Sequence, residues 1–133
     1  MTHNLTFRQL ESSEDRELVA RSGTSPLETW YKAVRDKPIV KFSVEDLCRA
    51  CRQQIFPEAV IPIAIERLSK EPLAGEMYDG ELIVAMSNIA KAYWITHPSQ
   101  AIEVTAIAQS IMPQVDDDLR RELARLVVLA SPD

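Results

Sequence analysis

Signals that start a helix recur along this chain and constrain its fold more than any other feature. Thr6 is followed by Gln9 at the spacing of a capping box, in which each side chain accepts the other residue's backbone N–H. Ser25 precedes a first-turn proline and Glu28, which is a second signature of this kind. The residues that we predict to cap helices are Thr6, Ser25, Ser43, Asp79 and Asp116. A chain with such regular helix starts is predicted to be mainly helical.

The apolar residues between these starts recur at helical spacing. Leu82, Met86, Ile89 and Tyr93 lie three or four positions apart and predict one continuous helix. Strand signals are weak, because no segment alternates between apolar and polar residues over a sustained length. Residues 38–41 are compatible with an extended conformation, but one short segment cannot form a sheet. We therefore predict an all-α fold, a compact single-domain bundle of about six helices.

The length of the chain favours one domain. Its 133 residues fall within the range of about 100–150 that is commonest for a single domain. We predict that residues 1–133 form one helical domain, in which the polar residues 1–23 pack more loosely than the rest.

The chain carries an acidic surplus, with a formal net charge of −5. Such a surface repels phosphate backbones, which argues against direct binding of nucleic acid, and it attracts basic proteins. No apolar run approaches the ~20 residues that span a bilayer, and residues 1–20 lack the pattern of a signal peptide. We expect a cytoplasmic protein without a membrane partner.

Residue patterns for chemistry are sparse. Cys48 and Cys51 lie one turn apart on a predicted helix, but a zinc site needs about four ligands, and the two histidines, His3 and His97, lie far away in sequence. We predict that both cysteines are small core residues. No nucleophile elbow or glycine-rich phosphate loop occurs. We therefore predict no catalytic residue, metal or cofactor, although a metal-dependent enzyme that uses paired carboxylates stays open as an alternative.

Two acidic segments are candidates for binding a partner. Residues 71–81 carry four carboxylates and a tyrosine, a residue type that often anchors interfaces. Residues 116–118 form a run of three aspartates at a predicted helix start. The plain alternatives are a solvated loop and a cap that complements the helix dipole. The candidate binding residues are Glu71, Glu76, Tyr78, Asp79, Glu81, Asp116, Asp117 and Asp118.

Three stretches of the sequence resemble the immunity proteins of bacterial contact-dependent growth inhibition systems. They are residues 5–11 (LTFRQLE), residues 37–47 (KPIVKFSVEDL) with 53–55 (QQI), and residues 60–68 (VIPIAIERL) with 71–73 (EPL) and 78–82 (YDGEL). The resemblance spans roughly residues 5–85. Two positions depart from it: Phe56-Pro57 stands where a glycine-containing turn is expected, and Glu81 where the family often has aspartate.

The resemblance implies an all-helical antidote to the toxin domain at the C-terminus of a large surface-displayed protein. Such toxins are frequently nucleases, often acting on transfer RNA, so a basic active-site cleft is the expected target. On this hypothesis the protein is a monomer that binds its cognate toxin one to one through the candidate binding residues. The alternative is an acidic secretion chaperone or a helical adaptor. A chaperone would dimerise and hold an unfolded segment.

Overall fold

The computed structural model describes residues 5–12, 14–15 and 25–131. Eight α-helices lie wholly within those residues, which contain no strand. The helices are α1 (Phe7–Leu10), α2 (Pro26–Val34), α3 (Val44–Arg52), α4 (Pro57–Lys70), α5 (Glu81–Ala85), α6 (Lys91–Thr96), α7 (Pro98–Ile111) and α8 (Asp117–Ala130). The all-helical prediction is confirmed for this part of the chain, although the predicted number of helices was too low. The prediction about residues 1–23 falls mostly outside the described residues.

The fold consists of two compact units, Met1–Ser43 and Val44–Asp133. In the first unit the predicted caps at Thr6 and Ser25 are confirmed. The Gln9 N–H donates to Thr6 Oγ1 (3.3 Å) and the Thr6 N–H donates to Gln9 Oε1 (3.0 Å), which completes the capping box. The Glu28 N–H donates to Ser25 Oγ at 3.1 Å and so starts α2.

An aromatic cluster forms the core of the first unit. The Phe7 ring is fully buried, stacks on Tyr31 at 5.3 Å and meets Phe42 edge-on at 5.2 Å. Beside it, the buried Glu11 carboxylate accepts hydrogen bonds from the Arg35 guanidinium and the Tyr31 hydroxyl. The hydrogen bond from Arg35 is the main reason that the pKa of Glu11 lies below its ordinary value.

The second unit is built from α3 to α8 around a buried aliphatic core. Both cysteines of α3 belong to it: Cys48 and Cys51 are 0% and 1% exposed. Burial raises the pKa of each thiol to about 12, so both stay protonated and pack as small apolar groups. The prediction that they are core residues is confirmed.

The stretch that we predicted as one continuous helix, from Leu82 to Tyr93, is broken in the structure. Helix α5 ends at Ala85, a 3₁₀ turn (Met86–Asn88) follows, and the backbone is extended at Ile89 and Ala90. The Ala90 N–H donates to the Gln54 side-chain oxygen at 3.1 Å. This bond comes from a loop 36 residues away in sequence, so local apolar spacing could not indicate the break.

Backbone geometry explains one expectation from the sequence and corrects another. Helix α4 begins at Pro57, and Phe56 before it adopts a left-handed conformation with φ 42°, which favours glycine. The glycine that the family resemblance led us to expect at this turn thus has a steric reason. The extended conformation expected for residues 38–41 does not occur at Ile39–Lys41, which form a 3₁₀ turn in which the Lys41 N–H donates to the Pro38 carbonyl.

Helix α8 is held at its C-terminal end by a lysine. Lys91 Nζ donates to the carbonyl oxygens of Leu129 (3.2 Å) and Ser131 (3.1 Å), where the helix leaves carbonyls unpaired. A cation there also complements the helix dipole. Among the helices within residues 5–12, 14–15 and 25–131, none combines the length and the hydropathy that a membrane span requires.

Candidate functional site

Residues 71–81, which we call the acidic loop, are folded by their own backbone hydrogen bonds. The Gly80 N–H donates to the Leu73 carbonyl at 2.9 Å, and the Leu82 N–H donates to the Ala74 carbonyl at 3.1 Å. These bonds fold the loop back on itself between α4 and α5. The loop therefore has a defined shape, although its tip is exposed: Met77 is 80% and Tyr78 50% exposed.

Three hydrogen bonds of this loop converge on the carboxylate of Glu81. It is 3% exposed, and its Oε1 atom accepts the backbone N–H groups of Glu76 and Met77, both at 2.8 Å. Its Oε2 atom accepts from Arg52 Nη2 at 2.5 Å. Burial alone would raise the pKa of Glu81, but the bonds from Met77, Arg52 and Glu76 outweigh it and hold this pKa below its ordinary value.

Two glycines allow the loop to pack closely. A Cβ atom on Gly75 would lie 1.8 Å from the carbonyl oxygen of Tyr78, so no larger residue fits without moving the backbone. Gly80 has φ 89°, and a Cβ atom there would lie 2.9 Å from Leu119 Cδ2. Gly80, not Asp79, occupies the N-cap position of α5, and no side chain caps this helix. The prediction that Asp79 is a cap is wrong, because the turn needs a residue with positive φ next to the helix.

The start of α8 stands beside this loop. Asp116 is its N-cap, as predicted, and accepts the Leu119 N–H at 2.8 Å. Arg120 fixes the preceding turn by donating to the carbonyl oxygens of Met112 (3.0 Å) and Val115 (2.7 Å). This end of α8 is therefore as well defined as the loop.

The acidic loop and the start of α8 line one groove of about 470 Å³, which we call the acidic groove. Four of the predicted binding residues contribute to it: Tyr78, Asp79, Asp116 and Asp118. No lysine or arginine is among the described residues that line it. The complete lining is Leu73, Tyr78, Asp79, Val84, Gln114, Val115, Asp116, Asp118, Leu119 and Glu122.

The other predicted binding residues do not line the acidic groove. Glu71 and Glu76 are exposed elsewhere on the loop, and Asp117 accepts a hydrogen bond from Arg120 at 2.9 Å. Glu81 is buried beneath the loop. A direct contact by Glu81 would require the loop to open, so its place in the structure suits a supporting role.

Sequence reasoning missed several members of the groove. Glu122 follows Asp118 by four residues on the same helix, so helical spacing could have added it. Leu73 comes from the acidic loop, whereas Val115 and Leu119 flank Asp116 at the start of α8, and no local pattern joins these two segments. These apolar side chains are suited to the stem of a long basic side chain whose charged end meets the carboxylates.

Asp116 caps α8, but the other three carboxylates of the groove make at most exposed ion pairs. Asp118 pairs with Arg121, and Glu122 pairs with Arg125 at 2.9 Å, both three residues apart on α8. Asp79 is exposed and makes no ion pair within the described residues. Exposed pairs of this kind are worth about 0–1 kcal/mol, so a partner's cation can replace them at little cost.

A second groove of about 540 Å³ lies at the other end of α8 and has a different chemistry. Its lining includes Trp94, Ala130 and the exposed Ile95 and Ile102, without a charged residue among those that line it. None of its described lining residues carries a charge that would attract a basic partner. The two grooves therefore present different surfaces at the two ends of one helix.

Comparison with known proteins identifies the family. A family model described as CDI immunity proteins, that is, immunity proteins of contact-dependent growth inhibition, matches residues 11–104. The chain belongs to this family. No curated protein matches the sequence. The resemblance that the sequence motifs indicated is thus confirmed, and it extends further towards the C-terminus than those motifs did.

The region matched by the family model contains only part of the acidic groove of this immunity protein. Residues 11–104 include the acidic loop, Arg52 and Glu81, but they end before α8. One wall of the groove is therefore part of the matched region, and the α8 wall lies beyond it.

The lowered pKa of Glu81 predicts how its contribution to stability depends on pH. This contribution is fully present above the ordinary carboxyl pKa of 4.5 and is lost as the pH falls through the lower pKa of the folded state. We expect Glu81→Gln to be less stable than the wild type near neutral pH. The difference in free energy of unfolding should narrow as the pH falls below 4.5. Urea titrations across this range measure it, and a constant difference would contradict the prediction.

Proposed function

We propose that this protein neutralises the toxin domain of its cognate growth inhibition effector by binding it at the acidic groove. The observation that carries the proposal is the convergence of Tyr78 and Asp79 with Asp116 and Asp118 in one concave surface. On this hypothesis the chain inhibits by binding and catalyses no reaction, because a toxin whose active site is occupied or obstructed is inactive. The complex would contain one copy of each protein and form in the bacterial cytoplasm.

Charge is the first support for this proposal. The groove is lined by four carboxylates, on a chain whose formal net charge is −5. A toxin that is a nuclease, such as one that cuts transfer RNA, must attract phosphates and therefore has a basic cleft. Opposite charges on the two surfaces would speed the encounter, and electrostatic steering of this kind falls as salt is added.

The exposed loop tip is the second support. Tyr78 lines the groove while 50% exposed, and Met77 beside it is 80% exposed. Tyrosine is enriched among residues that dominate interface energies, since it buries a large ring and keeps a polar end. We propose that Tyr78 enters the interface as an anchor and that the carboxylates around it bind basic side chains.

The test of the proposal uses the toxin domain encoded immediately upstream of this chain. Co-expression should yield a stable 1:1 complex by size exclusion with light scattering, and the chain should restore growth to cells that make the toxin. Tyr78→Ala should weaken binding by about tenfold or more. Ile102→Ala, in the apolar groove, is the control and should bind as the wild type does.

The outcomes separate the proposal from its rivals. Normal binding by Tyr78→Ala together with lost binding by Ile102→Ala would move the interface to the apolar groove. A dimer that binds unfolded segments and gives no growth rescue would replace immunity with the secretion chaperone or adaptor hypothesis.

A further inference from the structure

We infer that Glu81 is a positioning residue of the toxin-binding site: its buried carboxylate holds the acidic loop in its binding shape before the toxin arrives. The inference rests on the proposed function, because it concerns the same site. It gives a role to a carboxylate that the toxin cannot reach while the loop is folded.

The geometry around Glu81 supports this role. One carboxylate oxygen receives the consecutive N–H groups of Glu76 and Met77, which directly precede Tyr78. The other oxygen is bound by Arg52 of α3, which ties the loop to a helix outside it. A single buried group thus connects the exposed loop tip to the core of the second unit.

Backbone hydrogen bonds close the base of the loop, but its tip at residues 76–78 has few other means of keeping its shape. Its tip has exposed side chains at Glu76, Met77 and Tyr78, so burial contributes little there. If the hydrogen bonds to Glu81 are lost, the glycine at position 75 leaves the loop backbone more freedom than another residue would. Without the carboxylate, the loop would lose order in the free protein, and the toxin would have to order it during binding. That cost reduces affinity without removing any contact with the toxin.

The test compares Glu81→Ala with Glu81→Gln in the full chain, using the cognate toxin domain. Glu81→Ala should abolish the protection of the Glu76 and Met77 amides in hydrogen exchange, and should weaken toxin binding by about tenfold or more. Glu81→Gln keeps an oxygen that can accept both N–H groups and should recover part of the protection and of the affinity. Affinity that stays at the wild-type value in Glu81→Ala, with the amide protection lost, would overturn the inference.

A double-mutant cycle with Tyr78→Ala separates positioning from general destabilisation. If Glu81 acts by presenting Tyr78, its replacement should weaken binding much less when Tyr78 is already alanine. Fully additive effects on affinity would contradict the inference. If Tyr78→Ala alone binds normally, the proposed function fails at this site, which is a different result.

A surface pair of variants tests the same idea without touching the core, should Glu81→Ala fail to fold. Glu76→Gly and Glu76→Ala remove the same exposed side chain, but only glycine makes the backbone more flexible. The glycine variant should bind the toxin about two- to fivefold more weakly than the alanine variant. Equal affinities would show that loop order does not limit binding and would overturn the inference.

Discussion

Replacing Asp79 and Asp118 together by lysine is expected to slow association with the toxin by about a hundredfold at low salt. Both residues line the acidic groove, one from the loop and one from α8. The reversal removes attraction and places cations opposite the basic surface of the proposed partner. The remaining rate should depend only weakly on ionic strength, because the steering field is gone. Stopped-flow association measured over a salt series tests both effects.

A matched control isolates the position of the charge from its amount. Glu66→Lys with Glu103→Lys shifts the net charge equally, and both residues are exposed outside the described lining of the groove. This control should lower the association rate only slightly. Equal slowing by the two double variants would mean that net charge, not the groove, guides the encounter. Circular dichroism should show both proteins folded, since Asp118→Lys also removes a favourable charge from the first turn of α8.

Local signals in the sequence predicted the helix starts well. The caps at Thr6, Ser25 and Asp116 each depend on bonds between residues three positions apart. Interactions at that range are encoded in adjacent residues, so the sequence displays them directly. The core role of both cysteines was predicted from their residue type, because free cysteine packs as a small apolar group.

The candidate site was predictable only in pieces. Tyr78 and Asp79 were chosen for their residue types and a polar loop, whereas Asp116 and Asp118 were chosen as an aspartate run. These four residues share one groove because the loop packs against α8, where Gly80 lies close to the Leu119 side chain. No local sequence pattern indicates this packing.

Long-range polar bonds account for two structural features that the sequence did not indicate. Arg52 lies 29 residues before Glu81 in sequence and donates a hydrogen bond to its carboxylate. Glu81 is therefore buried beneath the loop, whereas the sequence suggested an exposed acidic residue. Gln54 binds the backbone 36 residues later and ends a helix that apolar spacing would have continued. Both side chains are polar and belong to the end of α3 or the turn after it, where sequence patterns favour solvent exposure. Tertiary partners, not local propensity, decided both outcomes.

Gly75→Ala is the single substitution expected to disturb stability and binding together. Its methyl group would lie 1.8 Å from the Tyr78 carbonyl oxygen and 2.9 Å from Glu81 Cβ, so the loop backbone must move. We expect a loss of about 2–3 kcal/mol in the free energy of unfolding, as for an overpacked core site. The displaced backbone also carries Tyr78, so the affinity for the toxin should fall with it.

Urea denaturation and toxin titration of the same preparation measure the two effects of Gly75→Ala. Glu76→Ala is the control, because its side chain is exposed in the same loop and its loss should change stability by no more than about 0.5 kcal/mol. A Gly75→Ala protein that is destabilised yet binds normally would separate loop shape from binding and count against the acidic groove as the interface. Wild-type stability would instead contradict the close packing of Gly75 against Tyr78, on which the preorganised loop depends.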